Sequence, residues 1–345
     1  MNARAFLAAL VAALALPTSA LAAYNPSLIV ANTTHGLGGK APLVIGLGQG
    51  DNDDATAVAT IYAPPGYRVT LGQAPGTVLG SLSGEVKIGA LGGQRQEVTG
   101  TVRADNPANY VNNTCAPGLH EAVWVLEFSI LGSPFRGPVY VDRITSGPEA
   151  AYASARIQAC LPSPYVPPPQ GAPGGALLIA AAFSVGGVFT SPTRSGEYAW
   201  NGIFVPYTPA TSTPNPSNTA QSMSIVRLPV TFGLTVRRQK RGKRTFAVLT
   251  ACVKERGAGV RGLAVSFLGG RTPRAARRMA GARTNARGCA KARIPVRRRS
   301  LFVLALTSVP PRQASGCRPT LAPRCSDPSV APAFSLVTRA RRVRR

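Results

Sequence analysis

Apolar and polar side chains alternate along several short segments of the chain, and this alternation predicts β-strands. Residues 123–130 read VWVLEFSI, which places Trp124, Leu126, Phe128 and Ile130 on one side of a period of two. No window of twelve or more residues combines helical periodicity with capping residues. Similar strand-like segments, separated by Gly- and Pro-rich turns, are predicted at 55–62, 67–71, 139–141 and 153–161.

The alternation continues through the second half of the chain. Residues 174–189 are apolar except for Ser184, which predicts two buried strands around a Gly-Gly turn; the alternative, a membrane span, is disfavoured by the short length. Further strands are predicted at 198–207, 223–228, 230–236, 245–253, 263–268, 289–296, 301–307 and 333–338. The pattern therefore predicts an all-β protein built from β-sandwiches.

A proline-rich segment divides the predicted strands into two groups. Residues 162–173 read PSPYVPPPQGAP, which predicts a linker, with a long ordered loop as the alternative. The predicted organisation is a β-sandwich over 23–161, the linker, an additional β region over 174–228, a basic domain over 229–338 and an Arg-rich, frayed tail over 339–345.

The first residues resemble a secretory signal peptide. Arg4 precedes an apolar run over 6–16, and Ala20-Leu21-Ala22 forms a small-residue cleavage motif. Residues 1–22 are therefore expected to be removed, with a retained N-terminal anchor as the alternative. We expect a secreted or cell-envelope protein with no transmembrane segment after cleavage.

The six cysteines favour disulfides, since an exported chain meets an oxidising environment. Neighbouring cysteines along the chain give the favoured pairing of Cys115 with Cys160, Cys252 with Cys289, and Cys317 with Cys325. Neither His lies near a second metal ligand and there is no CxxC motif, so we predict no metal and no cofactor. The order Cys115, Trp124, Cys160 is loosely similar to the core of an immunoglobulin domain.

One region of the basic domain resembles a bacterial immunoglobulin-like repeat. Residues 259–267 read GVRGLAVSF and residues 282–290 read ARTNARGCA, matching G-x-x-V-x-F followed by T-x-x-x-G-x-A, with 301–307 as the closing strand. The resemblance covers about eighty residues and implies two or more immunoglobulin-like β-sandwich domains after the signal peptide. Residues 24–228 are similar in texture to uncharacterised exported proteins of GC-rich bacteria, and that likeness implies no activity.

The net charge of +26 is distributed very unevenly. Residues 24–225 hold nine Lys or Arg against eleven Asp or Glu, a net of −2, whereas residues 226–345 hold 29 against two, a net of +27. Arginine-rich coding alone does not explain the loss of acids after residue 225. A solvated surface is one explanation; contact with a polyanion is the one we favour, because self-repulsion calls for counter-charges.

The candidate polyanion contacts are the clustered basic residues. They are Arg237, Arg238, Lys240, Arg241, Lys243, Arg244, Arg297, Arg298, Arg299, Arg341, Arg342, Arg344 and Arg345. Residues 226–345 contain no Trp or Tyr for base stacking, so nucleic acid is not the expected partner. Anionic envelope polymers or lipid head groups fit better, and the absence of an amphipathic helix predicts a purely electrostatic lipid contact.

Catalytic constellations are scarce. His120 stands beside Glu121, but adjacent strand residues face opposite ways, so His120 is expected to be structural. The acidic run 51–54 is interpreted as a polar turn, with a calcium loop as the alternative. We therefore predict an exported, non-catalytic structural or binding protein. The alternatives are a secreted hydrolase using carboxylates such as Glu121 and Glu127, and an adhesin or spacer with an incidental basic surface.

Overall fold

The computed structural model of the chain is all-β, as the alternation predicted. It describes residues 24–32, 34–40, 42–168, 171–242, 244–296, 300–314, 324–325, 329–331 and 333–344. The predicted signal peptide, Lys243, Arg297, Arg298, Arg299, Arg345, Cys317 and the side chain of Cys325 lie outside the described residues. Within the described ranges the helical segments are single 3₁₀ turns, and none has the length and apolar character of a membrane-spanning helix.

The strands are numbered in chain order. The first part contains β1 (Ser27–Asn32), β2 (Leu43–Gly48), β3 (Thr56–Ala63), β4 (Arg68–Val69), β5 (Val78–Ile88), β6 (Gln94–Asp105), β7 (Ala122–Ile130), β8 (Ser133–Arg143), β9 (Ala155–Cys160), β10 (Ala176–Val185), β11 (Phe189–Thr190), β12 (Gly196–Pro206) and β13 (Ala220–Leu228). The 3₁₀ turns span Gly89–Leu91, Pro107–Tyr110, Pro148–Ala151, Pro173–Gly175 and Pro216–Asn218.

The second part continues the numbering. It contains β14 (Val230–Arg241), β15 (Arg244–Glu255), β16 (Ala258–Gly259), β17 (Ala264–Gly270), β18 (Arg277–Arg283), β19 (Cys289–Pro295), β20 (Ser300–Val309), β21 (Arg312–Ala314), β22 (Arg324–Cys325), β23 (Ser329–Ala331), β24 (Phe334–Val337) and β25 (Arg341–Arg344).

A single large sheet dominates the first part. Its strands run in the order β1-β2-β10-β5-β6-β7-β8-β9-β3-β12-β13, and β21 to β23 extend the far edge. One core lies inside the curled sheet, because alternate side chains of these strands enter a shared cluster centred on Trp124, Phe189 and Trp200. The first part is therefore one nearly closed sheet, and not the separate N-terminal sandwich that was predicted.

The sheet closes where β1 meets β13, and side chains make this closure. The Leu28 amide donates to Ser222 Oγ at 3.0 Å, and the Val30 amide donates to Ser224 Oγ at 2.8 Å. Both serines are buried on the same side of β13 as Val226, which belongs to the core. The serine hydroxyls thus accept hydrogen bonds from the two β1 amides in place of backbone carbonyls.

The proline-rich segment does not separate two sheets. The strand that follows it, β10, lies between β2 and β5, so strands from 23–161 and 174–228 interleave in one sheet. Within this segment Ala172 donates its amide to the carbonyl of Ser163 at 2.8 Å, and Ser163 is fully buried. The described part of the segment matches the ordered-loop alternative.

The second part consists of two sheets that pack face to face. Strands β14, β15, β16 and β19 form one sheet, and β17, β18, β20, β24 and β25 form the other. Between them lies a core that includes Leu249, Phe267, Ile294 and Val303. The prediction of a frayed tail is wrong for Arg341–Arg344, because β25 pairs with β20 and buries Val343 in this core.

Two predicted disulfides are present. Cys115 bonds to Cys160, and Cys252 bonds to Cys289 across the directly paired strands β15 and β19. The immunoglobulin-like order around Trp124 is not reproduced in space, because Trp124 points into the main core whereas Cys160 packs with Val123 on the opposite face of β7. Both disulfides are consistent with an oxidising location.

Candidate anion-binding surface

The basic stretch around Gly242 forms the tip of the β14–β15 hairpin. Gln239 to Arg241 were expected to belong to a loop between strands, but they continue β14 in register to the turn at Gly242, whose φ is +55°. Alternation then divides the basic residues between two faces. Arg237 pairs opposite Val248 and faces outward, whereas Arg238 pairs opposite Ala247, which lies in the core.

The outward-facing basic residues form a surface that we call the outer cationic face. It consists of Arg237, Arg241, Arg244, Lys254, Lys291 and Arg293, all exposed on the outer sides of β14, β15 and β19. The guanidinium carbon of Arg293 lies 3.9 Å from the ring centroid of Phe246, and a cation at this distance is attracted to the ring face. The result is a three-stranded surface of positive charge.

Three of these cations were missed by the sequence analysis. Lys254, Lys291 and Arg293 do not belong to a run of basic residues. They join Arg237 and Arg241 only because β15 lies between β14 and β19 in the sheet. The period-two spacing of Lys291 and Arg293 in β19 was the one signal that could have placed them on a shared face.

A second basic site, the tail groove, lies between the edge strands β14 and β25. Arg238 of β14 and Arg341, Arg342 and Arg344 of β25 line a groove of about 490 Å³ together with Leu234, Thr235, Val236 and Val343. The groove exists because burial of Val343 beside Leu234 holds β25 against the first sheet. Two clusters that are about a hundred residues apart in the chain therefore meet in one place.

Among the described residues, no carboxylate forms an ion pair with a side chain of the outer cationic face. Glu255 is the one acid of residues 226–345 that the structure describes, and it contacts Arg227 and Arg312 near the junction between the two parts. Within the described chain, no carboxylate forms an ion pair with Arg237, Arg241 or Arg244. By contrast, Arg95 and Arg103 of the first part are each paired with acids.

Several further contacts hold the junction between the two parts. Glu197 lies 3.2 Å from both Arg227 and Arg256, and the Val230 amide donates to the His35 carbonyl at 3.0 Å. The His35 ring packs against the Phe334 ring in a tilted arrangement, with centroids 4.1 Å apart. Burial lowers the pKa of His35, because the charged form loses its hydration there.

His120 has a partner that the sequence analysis did not foresee. Its Nδ1 lies 2.9 Å from Asp142 of β8, and its Nε2 lies 3.1 Å from the carbonyl of Ala116. Burial opposes ionisation of Asp142, but the bonds from His120, the Glu121 amide and Arg156 outweigh it and lower the pKa of that carboxyl. With both ring nitrogens engaged and the ring buried, His120 anchors the loop beside Cys115 rather than facing a solvent-open site.

The other acids considered for chemistry are held by their own neighbours. Glu121 pairs with Arg143, whereas Glu127 pairs with Arg103 and Arg136 toward the other end of β7. Asp51 contacts Arg95, which lowers the pKa of the Asp51 carboxyl. In the described part of the chain, no three metal-ligating side chains gather into a cluster.

Comparison with known proteins adds no relative. Neither a protein-family model nor a curated protein sequence matches the chain. The outer cationic face and the tail groove are therefore the features of the molecule that indicate a function.

Proposed function

We propose that the protein is an exported, non-catalytic structural or binding module of the cell envelope, and that its basic second part contacts anionic polymers. One observation carries this proposal: within the described residues, no carboxylate forms an ion pair with Arg237, Arg241 or Arg244 of the outer cationic face. The described acid of that part, Glu255, contacts Arg227 and Arg312 at the junction instead. Such surfaces attract polyanions through many weak, salt-sensitive contacts.

The chemistry of the side chains favours phosphate or carboxylate groups on the polymer. Arginine presents a planar fork of donors that matches both anions in a bidentate manner. Polygalacturonate and polyphosphate represent these two anions as simple probes. Because Phe246 already stacks with Arg293, and residues 226–345 contain no Trp or Tyr, nucleic acid is not part of the proposal.

Two further aspects belong to this proposal. The two packed sheets of the second part form an immunoglobulin-like sandwich, and residues 1–22 direct the chain out of the cytoplasm before being removed. The two disulfides support the oxidising location. Glu121 precedes β7, Glu127 lies within it, and each is paired with arginine. This arrangement favours the non-catalytic role over a hydrolase.

Retention of the mature protein on immobilised polyphosphate and polygalacturonate at rising salt tests the proposal. Two double variants each remove two charges: Arg237→Gln with Arg241→Gln on the outer cationic face, and Arg341→Gln with Arg344→Gln in the tail groove. A matched control removes the exposed Arg68 and Arg194 of the first part in the same way.

Both site variants are expected to elute at lower salt than the wild type, whereas the control elutes with it. The reason is that a protein with fewer basic contacts releases fewer counterions from the polymer when it binds, so its binding is weaker. An equal shift in all three variants would mean that only net charge matters. Failure of the wild-type protein to bind at low salt would contradict the proposal.

A further inference from the structure

Strand β20 carries apolar side chains on both faces. Val303 and Ala305 are fully buried between the two sheets of the second part, so Phe302, Leu304 and Leu306 lie on the outer face by alternation. A sheet that has one face in water usually places polar residues on that face. The apolar composition of the outer face of β20 is thus typical of a surface that is buried against a partner.

The apolar surface extends to the neighbouring strands. Leu268 of β17 pairs directly opposite Leu304, and Val337 of β24 pairs directly opposite Leu306. Leu306 is 36% exposed and Val337 is 62% exposed. We call this contiguous surface, made of Leu268, Phe302, Leu304, Leu306 and Val337, the outer apolar stripe.

Arginines border the outer apolar stripe on two sides. On β18, the Arg278 guanidinium lies over Gly281, where an added Cβ would be 2.6 Å from it. On β25, the Arg342 guanidinium carbon lies 5.9 Å from the ring centroid of Phe302. The strands of this sheet contain no Asp or Glu, so the stripe and its border carry no negative side chain. The polar residues beside the stripe include the neutral Ser266, opposite Leu306.

The charge and the apolar character of the stripe together indicate which kind of partner covers it. A second copy of the chain would bring another basic second part, with a net charge of +27 over residues 226–345, against the same cations and be repelled. A polymer of sugars or phosphates has no hydrocarbon with which to cover leucine and valine. A bilayer with anionic head groups supplies phosphates for Arg278 and Arg342 and an apolar interior for the stripe.

We propose that the outer apolar stripe docks on the surface of an anionic lipid membrane, with Leu306 and Val337 entering the head-group region. This inference rests on the proposed envelope role, but the apolar side chains that carry it belong to neither basic surface; only the bordering Arg342 also lines the tail groove. It also changes the expected lipid contact from purely electrostatic to partly apolar. Here a sheet supplies the apolar surface that an amphipathic helix supplies in other membrane-binding proteins.

A tryptophan reporter tests whether the stripe enters the lipid. The native Trp124 and Trp200 are fully buried, so emission from a Val337→Trp variant reports on the surface. Vesicles of phosphatidylglycerol and phosphatidylcholine in about equal parts are expected to shift this emission to the blue, and brominated lipid is expected to quench it. Vesicles of phosphatidylcholine alone serve as the uncharged comparison. Unchanged emission with the anionic vesicles would overturn the proposal.

Serine substitutions test whether the apolar side chains contribute. Leu306→Ser with Val337→Ser is expected to weaken vesicle binding about tenfold at high salt, where charge is screened. Leu119→Ser with Val78→Ser is the matched control, because those residues are 75% and 54% exposed on the first part. Far-ultraviolet circular dichroism and the unfolding midpoint establish that both pairs fold.

The remaining outcomes separate this proposal from the polymer proposal. The stripe variant is expected to keep its retention on polyphosphate, so loss of lipid binding alone identifies the stripe as the lipid-contacting face. Equal vesicle binding by the stripe and control variants would overturn the membrane proposal. So would concentration-dependent dimers that the stripe variant abolishes, since they would identify a second copy as the occupant.

Discussion

The Glu255 carboxylate of β15 lies 3.5 Å from the Arg227 guanidinium of β13, across the junction between the nearly closed sheet and the two packed sheets. Glu255 and Arg227 are 14% and 18% exposed. This contact joins the two parts of the molecule. It also directs the described acid of the second part away from the surfaces that we propose for anion contact.

Glu255→Gln is expected to destabilise the junction, since Arg227 and Arg312 lose a shared counter-charge. We expect a loss of about 2 kcal/mol in the free energy of unfolding, which urea titration would measure. Glu85→Gln breaks an ion pair with Arg95 at the surface and should cost less than about 1 kcal/mol. Equal costs for the two variants would contradict this account of the junction.

Acid is expected to weaken the same junction through His35. Because burial lowers the folded-state pKa of His35, the unfolded chain takes up the proton first as the pH falls below about 6.5. Stability should therefore decline from that pH toward the lower folded-state pKa, with no His35 contribution at higher pH. Glu255, Arg227 and Arg312 line the same small cavity and provide the neighbouring charges.

His35→Gln provides the comparison for this pH dependence. Thermal midpoints are measured for the wild-type protein and the variant from about pH 8 to about pH 5. As the pH falls, the wild-type midpoint is expected to decrease more than the midpoint of the variant. The variant cannot take up the proton, so it lacks this part of the decline. Parallel curves would show that His35 does not couple stability to pH.

The serine hydroxyls at the closure of the large sheet should contribute more to the free energy of unfolding than exposed hydroxyls do. Ser224→Ala leaves the Val30 amide without its 2.8 Å acceptor in a buried position, at an expected cost of about 1–2 kcal/mol. Amide hydrogen exchange at Val30 should accelerate accordingly. Ser308→Ala removes an exposed contact to Ser335 and serves as the control with little expected change.

The Cys252–Cys289 disulfide is expected to stabilise the sheet that carries the outer cationic face. Its sequence separation of 37 residues implies a loss of about 4 kcal/mol when Cys252→Ser and Cys289→Ser are combined. Exchange of the β19 amides, read by mass spectrometry, locates the effect. If the β19 amides of the double variant were as protected as those of the wild type, the disulfide would not stabilise this sheet.

The alternation of side chains predicted the all-β class and many of the strands, but it missed several, including the long strands β5 and β6. Both strands contain glycines that suggest turns when the sequence is considered alone. At Gly100, a Cβ would collide with the carbonyl of Glu127 on the adjacent strand β7. The glycine thus marks a close approach of two strands, which only the folded sheet makes visible.

The runs of arginine indicated a basic surface but not its division into two. Arg237 and Arg238 are neighbours in the sequence, yet one belongs to the outer cationic face and the other to the tail groove. The groove also depends on Val343, whose burial turns the expected frayed tail into a strand. Long-range pairing of this kind has no signature in a single sequence.

Arginine-selective chemical modification, read by mass spectrometry with and without bound polyphosphate, tests the central claim most directly. We predict that polyphosphate protects Arg237 and Arg241 of the outer cationic face and Arg341 and Arg344 of the tail groove. The exposed Arg68 and Arg194 should remain equally reactive in both states. Protection of Arg68 and Arg194 to the same degree, or no protection at the four predicted arginines, would contradict the account.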